Sequence, residues 1–170
     1  GQNQYDVEVT AAASGNGAIE VVHMTNRGLQ YLGETGTLSG SPSTTSATIS
    51  GAGLGLNALS ADDCIVNSDI YFTSGDASGL GGTITDYNGT TKVVTFTPAV
   101  SSTPSATDGY AIGPKIVISG DGQGANVRAT VNATGSINAV TVIAGGNNYS
   151  NATITVIANT SQANGYNPTT

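Results

Sequence analysis

Residues 17–31 read GAIEVVHMTNRGLQY and residues 135–149 read GSINAVTVIAGGNNY; they align without a gap at an offset of 118 (135 minus 17). Gly17/Gly135, Ile19/Ile137, Val22/Val140, Gly28/Gly146 and Tyr31/Tyr149 are identical pairs, and Val9 matches Val127 in the same register. A fixed offset over so many positions points to an internal duplication, so the fold must house two versions of one unit. That unit is an alternating strand, a glycine or polar turn, a Gly-x-Ile-x-x-Val strand and a Gly-x-x-Tyr corner.

The second copy, residues 117–158, is the cleaner one. Val127, Ala129 and Val131 alternate with Arg128, Thr130 and Asn132, the two-residue period of a half-buried strand. Gly135-Ser136 turns the chain into a strand over 137–143. Gly145-Gly146-Asn147-Asn148 ends that strand, Tyr149 re-enters a core, and residues 153–157 form a third strand with Ile154 and Val156 on one face. The first copy, residues 5–38, repeats the layout with a poorer third strand that ends near Leu38.

Between the copies lies a different segment, residues 47–114. Thr83–Tyr87, Asn88-Gly89 and Thr90–Phe96 read as a β-hairpin, because Asn-Gly accepts the positive φ angles of a two-residue turn. Ile70-Tyr71-Phe72 is its expected partner strand. Residues 41–46 and 100–105 read as flanking loops. Ser60 could cap one short helical turn over residues 60–63. Residues 159–170 form a polar tail. The fold expected is a single all-β domain over 1–170, an antiparallel sandwich or jelly-roll-like barrel, with the duplicated unit flanking the inserted hairpin segment.

Composition agrees. Gly 24, Thr 24, Ser 17 and Asn 15 together make 80 of 170 residues, only 9% are charged, and the net charge is −7. Solubility therefore rests on hydroxyls, amides and glycines, and Thr and Val favour pleated strands over helices. Hydrophobic residues at 38%, arranged in alternating runs, argue against a disordered chain. Arg27, Lys92, Lys115 and Arg128 are the whole set of cations, too few for a strong phosphate-binding surface, so no nucleic-acid partner is expected, and too few for a polybasic membrane anchor. No apolar run approaches 18 residues, so no helical membrane insertion is expected. The chain opens Gly1-Gln2-Asn3 without Met, as a processed or partial form would, and no signal peptide is visible.

The segment from Ser60 to Gly113 resembles a module of tailed-bacteriophage virion proteins of the tail, fibre, baseplate or decoration type. That module pairs an "ITSG" strand with an "I-x-x-Y-x-G-T-T-K" hairpin and a "P-x-A-T-x-G-Y" closing strand; the matching residues are Tyr71–Gly75, Ile84–Lys92 and Pro104–Tyr110. The flanking Gly-x-Ile…Gly-x-x-Tyr copies are similar to repeats of the same proteins, and such modules also occur in uncharacterised bacterial surface proteins. The chain departs from the module at Cys64, where an aromatic residue is common, and at Gly81-Gly82, where a Gln-Arg pair is usual. The resemblance implies a structural role and brings no catalytic residues with it.

The residues themselves offer little chemistry. His23 is the single histidine, stands opposite Thr141 in the alignment and has no G-x-S-x-G element to serve; it reads as a solvent-side strand residue. Cys64 is the single cysteine, which excludes an intramolecular disulfide. With acids around it, the expectation is a buried, inert thiol. Asp62, Asp63 and Asp69 form the acidic cluster and are the weak calcium candidates, with Asp76 or Asp121 as further ligands from distant loops; their spacing is not that of an EF-hand. Turn-forming or capping aspartates are the default reading. Gly120-Asp121-Gly122-Gln123-Gly124 precedes a strand, so it reads as a turn and not a phosphate loop. Glu8, Glu20 and Glu34 all fall in one copy without an aromatic platform for a sugar ring. Asn88, Asn132, Asn148, Asn151 and Asn159 begin Asn-x-Ser/Thr sequons, relevant only in a glycosylating pathway.

No catalytic, cofactor or metal site is therefore expected. The function expected is that of a non-catalytic structural subunit, a homo-oligomer or helical polymer built through β contacts into a fibre, tube or shell, outside the cell or in a virion. Residues 1–10 and 159–170 are the expected contacts between subunits. Ile19, Val22, Ile70, Phe72, Val94, Phe96, Ile137, Val140, Ile154 and Val156 are the expected core. The alternative is a receptor- or glycan-binding module of a tail fibre or adhesin, with surface glycans met by a tyrosine-lined face. A calcium-supported hydrolase is the remaining rival.

Overall fold

The computed structural model describes residues 7–13, 15, 17–27, 31–53 and 59–157. Among them no helix forms, and the chain is all-β, an antiparallel curled sheet with further strands packed on it, of the sandwich or barrel kind. The strands in chain order are β1 (Val7–Ala13), β2 (Ile19–Arg27), β3 (Glu34–Thr37), β4 (Ser46–Thr48), β5 (Ser68–Phe72), β6 (Gly81–Tyr87), β7 (Val93–Thr97), β8 (Gly109–Gly120), β9 (Gln123–Val131), β10 (Ile137–Asn147) and β11 (Ala152–Ile157). A seven-stranded sheet runs β11-β8-β5-β6-β7-β4, with β3 also paired to β8; β1–β2 and β9–β10 each form a two-stranded sheet.

The duplicated sequence becomes a duplicated register. In the first hairpin Ala13 faces Ile19, Ala11 faces Val22 and Val9 faces Met24. In the second, Val131 faces Ile137, Ala129 faces Val140 and Val127 faces Val142. Adding 118 converts one set into the other. The irregularities correspond as well: shifts between Glu8 and Val9 and between Ala12 and Ala13 recur between Val142 and Ala144 and between Ile137 and Ala139. Gly17 and Gly135, both at φ 75°, occupy the equivalent left-handed turn position that glycine adopts without penalty. Both copies also send their third strand to β8, β3 to its first half and β11 to its second.

Apolar residues divide into two clusters along the same lines. The first fills the inserted segment with Leu59, Ile65, Ile70, Phe72, Ile84 and Phe96, and takes in Leu32 and Leu38 from the end of the first copy. Phe72 and Phe96 meet edge-on, with ring centroids 5.8 Å apart, the geometry aromatic quadrupoles favour. The second belongs to the copies: Tyr31, Ile116, Val127, Ala129, Val131 and Ile137 are buried. Strand β8 joins the two, giving Tyr110 and Ile112 to the first and Ile116 to the second. Of the expected core, Ile19, Ile70, Phe72, Val94, Phe96 and Ile137 are buried, while Val22, Val140, Ile154 and Val156 are half-buried at the rim of the second cluster.

Three local expectations are corrected. The hairpin β6–β7 forms, but its loop is residues 88–92: Asn88 Oδ1 accepts from the amides of Thr90 and Thr91, and Lys92, at φ 62°, takes the left-handed position. Gly89 is needed for closeness instead, since a Cβ there would run into the Ser60 carbonyl oxygen. Residues 60–67 are successive tight turns and not a helical turn; Val66 donates to Asp63 and Ser68 to Ile65 across three residues. Strand β10 does not end at Gly145. It runs on to Asn147, paired through Gly145↔Ala125 and Asn147↔Gln123, because the long start of β9 continues the ladder and Gly145 lets the Ile19 carbonyl approach.

Candidate functional site

Among the described residues, carboxylates enter the interior in three places, around Asp69, Glu34 and Asp108. Asp108 Oδ2 accepts from the Ser105 amide at 2.8 Å and closes a loop, and the other two places reach further. The first lies between the inserted sheet and the second hairpin. Asp69 sits in β5, whose five residues are all buried, and Arg128 reaches it from β9 with Nη1 2.8 Å from Oδ2. Thr83 of β6 donates to the other carboxylate oxygen at 2.8 Å. Burial pushes the Asp69 carboxyl up, and the Arg128 charge and the Thr83 hydroxyl pull it back. The Tyr71 hydroxyl, hydrogen-bonded with Thr141 of β10, extends the polar seam; burial raises its pKa. Arg128 Nε is buried there without a hydrogen-bond partner, and so is Ser68 Oγ on the opposite face of β5.

The second place is the Glu34 carboxylate, 1% exposed. Its Oε1 accepts from the Gly51 amide at 3.1 Å and Oε2 from the Gly53 amide at 2.7 Å. The Tyr110 hydroxyl donates to Oε1 and accepts from the Ser50 amide at 2.9 Å. Gly51 and Gly53 both take φ 69°, so their two amides face the carboxylate while the Ala52 amide between them turns to Ser50 Oγ. Burial and the Glu34 carboxylate both raise the Tyr110 phenol, keeping it a donor. These partners of the anion all come from the chain itself, so the arrangement ties the 50–53 loop to β3 and β8.

The calcium candidates do not converge. Asp62 Oδ1 accepts from the Gly89 amide at 2.7 Å and Asp63 Oδ1 from the Tyr87 amide at 3.2 Å, whereas Asp69 is committed to Arg128. Both exposed aspartates thus fasten the 60–67 turns, Asp63 to the end of β6 and Asp62 to the β6–β7 loop. Asp121 Oδ1 accepts from the amides of Ser150 and Asn151, which hold its carboxyl below the ordinary value. Among the described residues no three His, Cys, Asp or Glu side chains group to hold a metal. Cys64 is buried, and burial pushes its thiol up to about 11, against any thiolate role. His23 lies on β2 opposite Thr10, and its side chain is outside the described residues.

Asn88, Asn132, Asn148 and Asn151 are exposed, and Asn159 lies outside the described residues. Tyr31, Tyr71, Tyr87, Tyr110 and Tyr149 are all buried, so none of these five rings faces solvent as a sugar platform. Neither Glu34 nor Arg128 stands out by motif. The available signals were a charged residue in the apolar run Ser68–Phe72, which demands a partner, and a cation set so small that Arg128 was a leading choice. Compared with protein-family models, curated proteins and solved structures, the chain matches none of them.

Proposed function

We propose that this chain is a non-catalytic structural subunit that assembles with copies of itself into a fibre, tube or shell of the extracellular-filament or virion type. The observation that carries this reading is the unfinished second cluster. Val22, Ile118, Val140, Val142, Ile154 and Val156 pack against it only half-buried, whereas Val66 and Leu80 are the half-buried pair at the larger first cluster. A neighbour's strand laid along the rim of the second cluster would complete it.

Scarcity of charge supports the same reading. Lysine on edge strands is one device against unwanted pairing, and β11 and β4, at the ends of the main strand order, contain none. On the outer face of the β8–β11 pair, Val117 stands 36% exposed opposite Thr155, between Lys115 and Ser119 along β8. Strand addition at such edges supplies main-chain hydrogen bonds without requiring charge complementarity. A contact that does not close on itself would build a helical polymer. The resemblance of residues 71–75, 84–92 and 104–110 to virion modules accords with this role.

Negative-stain electron microscopy of the purified chain tests the reading. Regular filaments, tubes or shells are the expected result, and deletion of residues 1–10 should abolish them while leaving the β circular-dichroism spectrum in place. Monodisperse single particles across a wide concentration range would overturn it.

A further inference from the structure

The two copies touch through a reciprocal pair of bonds. The Tyr31 amide donates to the Gly135 carbonyl at 3.0 Å, and the Tyr149 amide donates to the Gly17 carbonyl at 2.9 Å. Tyr31 and Tyr149 are equivalent residues of the duplicated unit, as are Gly17 and Gly135. Each copy therefore presents its corner tyrosine to the turn glycine of the other, the self-complementary pattern of a two-fold contact between identical subunits, here within one chain.

The two sides are held differently. The second hairpin is joined to the inserted sheet by the Arg128–Asp69 ion pair. Among the described residues neither hairpin pairs with a strand of the seven-stranded sheet, but the first, β1–β2, is held by packing β2 against β10 and β1 against β11. A lone two-stranded hairpin is marginal in water and needs a docking surface. Its surface is the β10 face around Gly145, where the Ile19 backbone approaches so closely that a Cβ on Gly145 would lie 2.6 Å from the Ile19 carbonyl. Only residues 28–30 separate Arg27 from Tyr31. Any other copy of the chain presents the same β10 face.

From this geometry we infer that the first hairpin, Val7–Arg27, is exchanged between subunits: the hairpin of one chain docks on β10 and Tyr149 of the next, re-forming the Tyr149–Gly17 bond between chains. Exchange of an identical element needs no new interface, because the hairpin docks on a second chain as it docks on its own. Passed head to tail, it threads a polymer in which each subunit is tethered to the next through residues 28–30. The inference rests on the assembly reading above and names the element that crosses.

Two full-length variants test it by complementation. Gly17→Val spoils the donor, since its Cβ would stand 2.6 Å from the Tyr149 nitrogen at a φ of +75°. Gly145→Val spoils the acceptor and leaves the hairpin intact. Each alone should stay monomeric, and an equimolar mixture should give a 1:1 dimer of twice the chain mass. Folded variants that form no mixed dimer would overturn the exchange.

Should either variant not fold, the native sequence carrying a site-specific protease sequence between Arg27 and Tyr31 decides. Cleavage should disperse exchange-linked polymers into single-subunit particles. Polymers that survive complete cleavage would overturn the exchange and leave the assembly reading standing, whereas a chain that never polymerises would overturn that reading and the head-to-tail thread with it.

Discussion

Arg128 Nη1 and Asp69 Oδ2 lie 2.8 Å apart, with side chains 12% and 3% exposed, across the junction of β9 and β5. Removing one partner from a buried pair strands the other charge, at a penalty of about 3–5 kcal/mol. Arg128→Ala should therefore lower unfolding stability by that order in urea titrations. The double variant Asp69→Leu/Arg128→Met should recover most of the loss, because two apolar side chains need no partner. A double variant as unstable as the single one would refute this account.

Ser68 occupies β5 next to Asp69 with its hydroxyl buried and unbonded. Deleting an unsatisfied buried hydroxyl relieves its desolvation, worth about 1 kcal/mol. Ser68→Ala should raise the urea midpoint at an unchanged slope, the sign of a change in stability alone.

Glu34 gathers the Gly51 and Gly53 amides and the Tyr110 hydroxyl. Glu34→Ala leaves those donors without their acceptor, each worth about 1–3 kcal/mol when buried. Tyr110→Phe removes one donor and the acceptor of the Ser50 amide, so its effect should be smaller. Amide hydrogen exchange should quicken first at residues 50–53 in both variants, ahead of β5 and β6.

Gly113 marks where β9 crosses β8. A Cβ there would collide with the Ala129 carbonyl oxygen and lie 2.8 Å from the Ala129 carbonyl carbon. Both neighbours are backbone, so relief requires the strands to part. Gly113→Ala should destabilise by about 3 kcal/mol, at the upper end of ordinary overpacking, and thermal unfolding should register it. Gly79→Ala, with open space around it but a φ of +81°, should cost only about 1–2 kcal/mol through backbone strain.

The Cys64 thiol, raised to about 11 by burial, should resist alkylation at pH 8 in the folded chain and react on unfolding. The folded state favours the neutral thiol. Its contribution is therefore full below the unfolded thiol pKa and is lost as pH rises towards 11. Asp121 acts in the opposite sense: its folded pKa is depressed by the Ser150 and Asn151 amides, so its contribution is present above the ordinary carboxylate value and is lost as acid titrates through the lowered one. Asp121→Asn should remove that acid-side dependence. Rapid alkylation of the native thiol at pH 8 would contradict the first assignment.

The β class, the two hairpins and the partner strand β5 were legible in the sequence, because strand alternation and turn glycines are local and the duplication repeats them in register. Tyr149 could be placed in a core for the same reason. Local signals failed where a neighbour decided the conformation. Asn88-Gly89 reads as a two-residue turn, but Asp62 claims the Gly89 amide and Ser60 leaves no room for a side chain there. Gly145-Gly146 reads as a strand end, but the far side of β9 continues the pairing. The adjacency of Asp62, Asp63 and Asp69 in sequence suggested one cluster; folding sends the first two to a surface loop and the third to Arg128, 59 residues away. The sequence by itself determined the period, the copies and the scarcity of charge, which are properties of neighbours along the chain. Only the tertiary structure decided which buried carboxylate met which donor and which glycines were needed for closeness, because those depend on what long-range packing brings within a few ångströms.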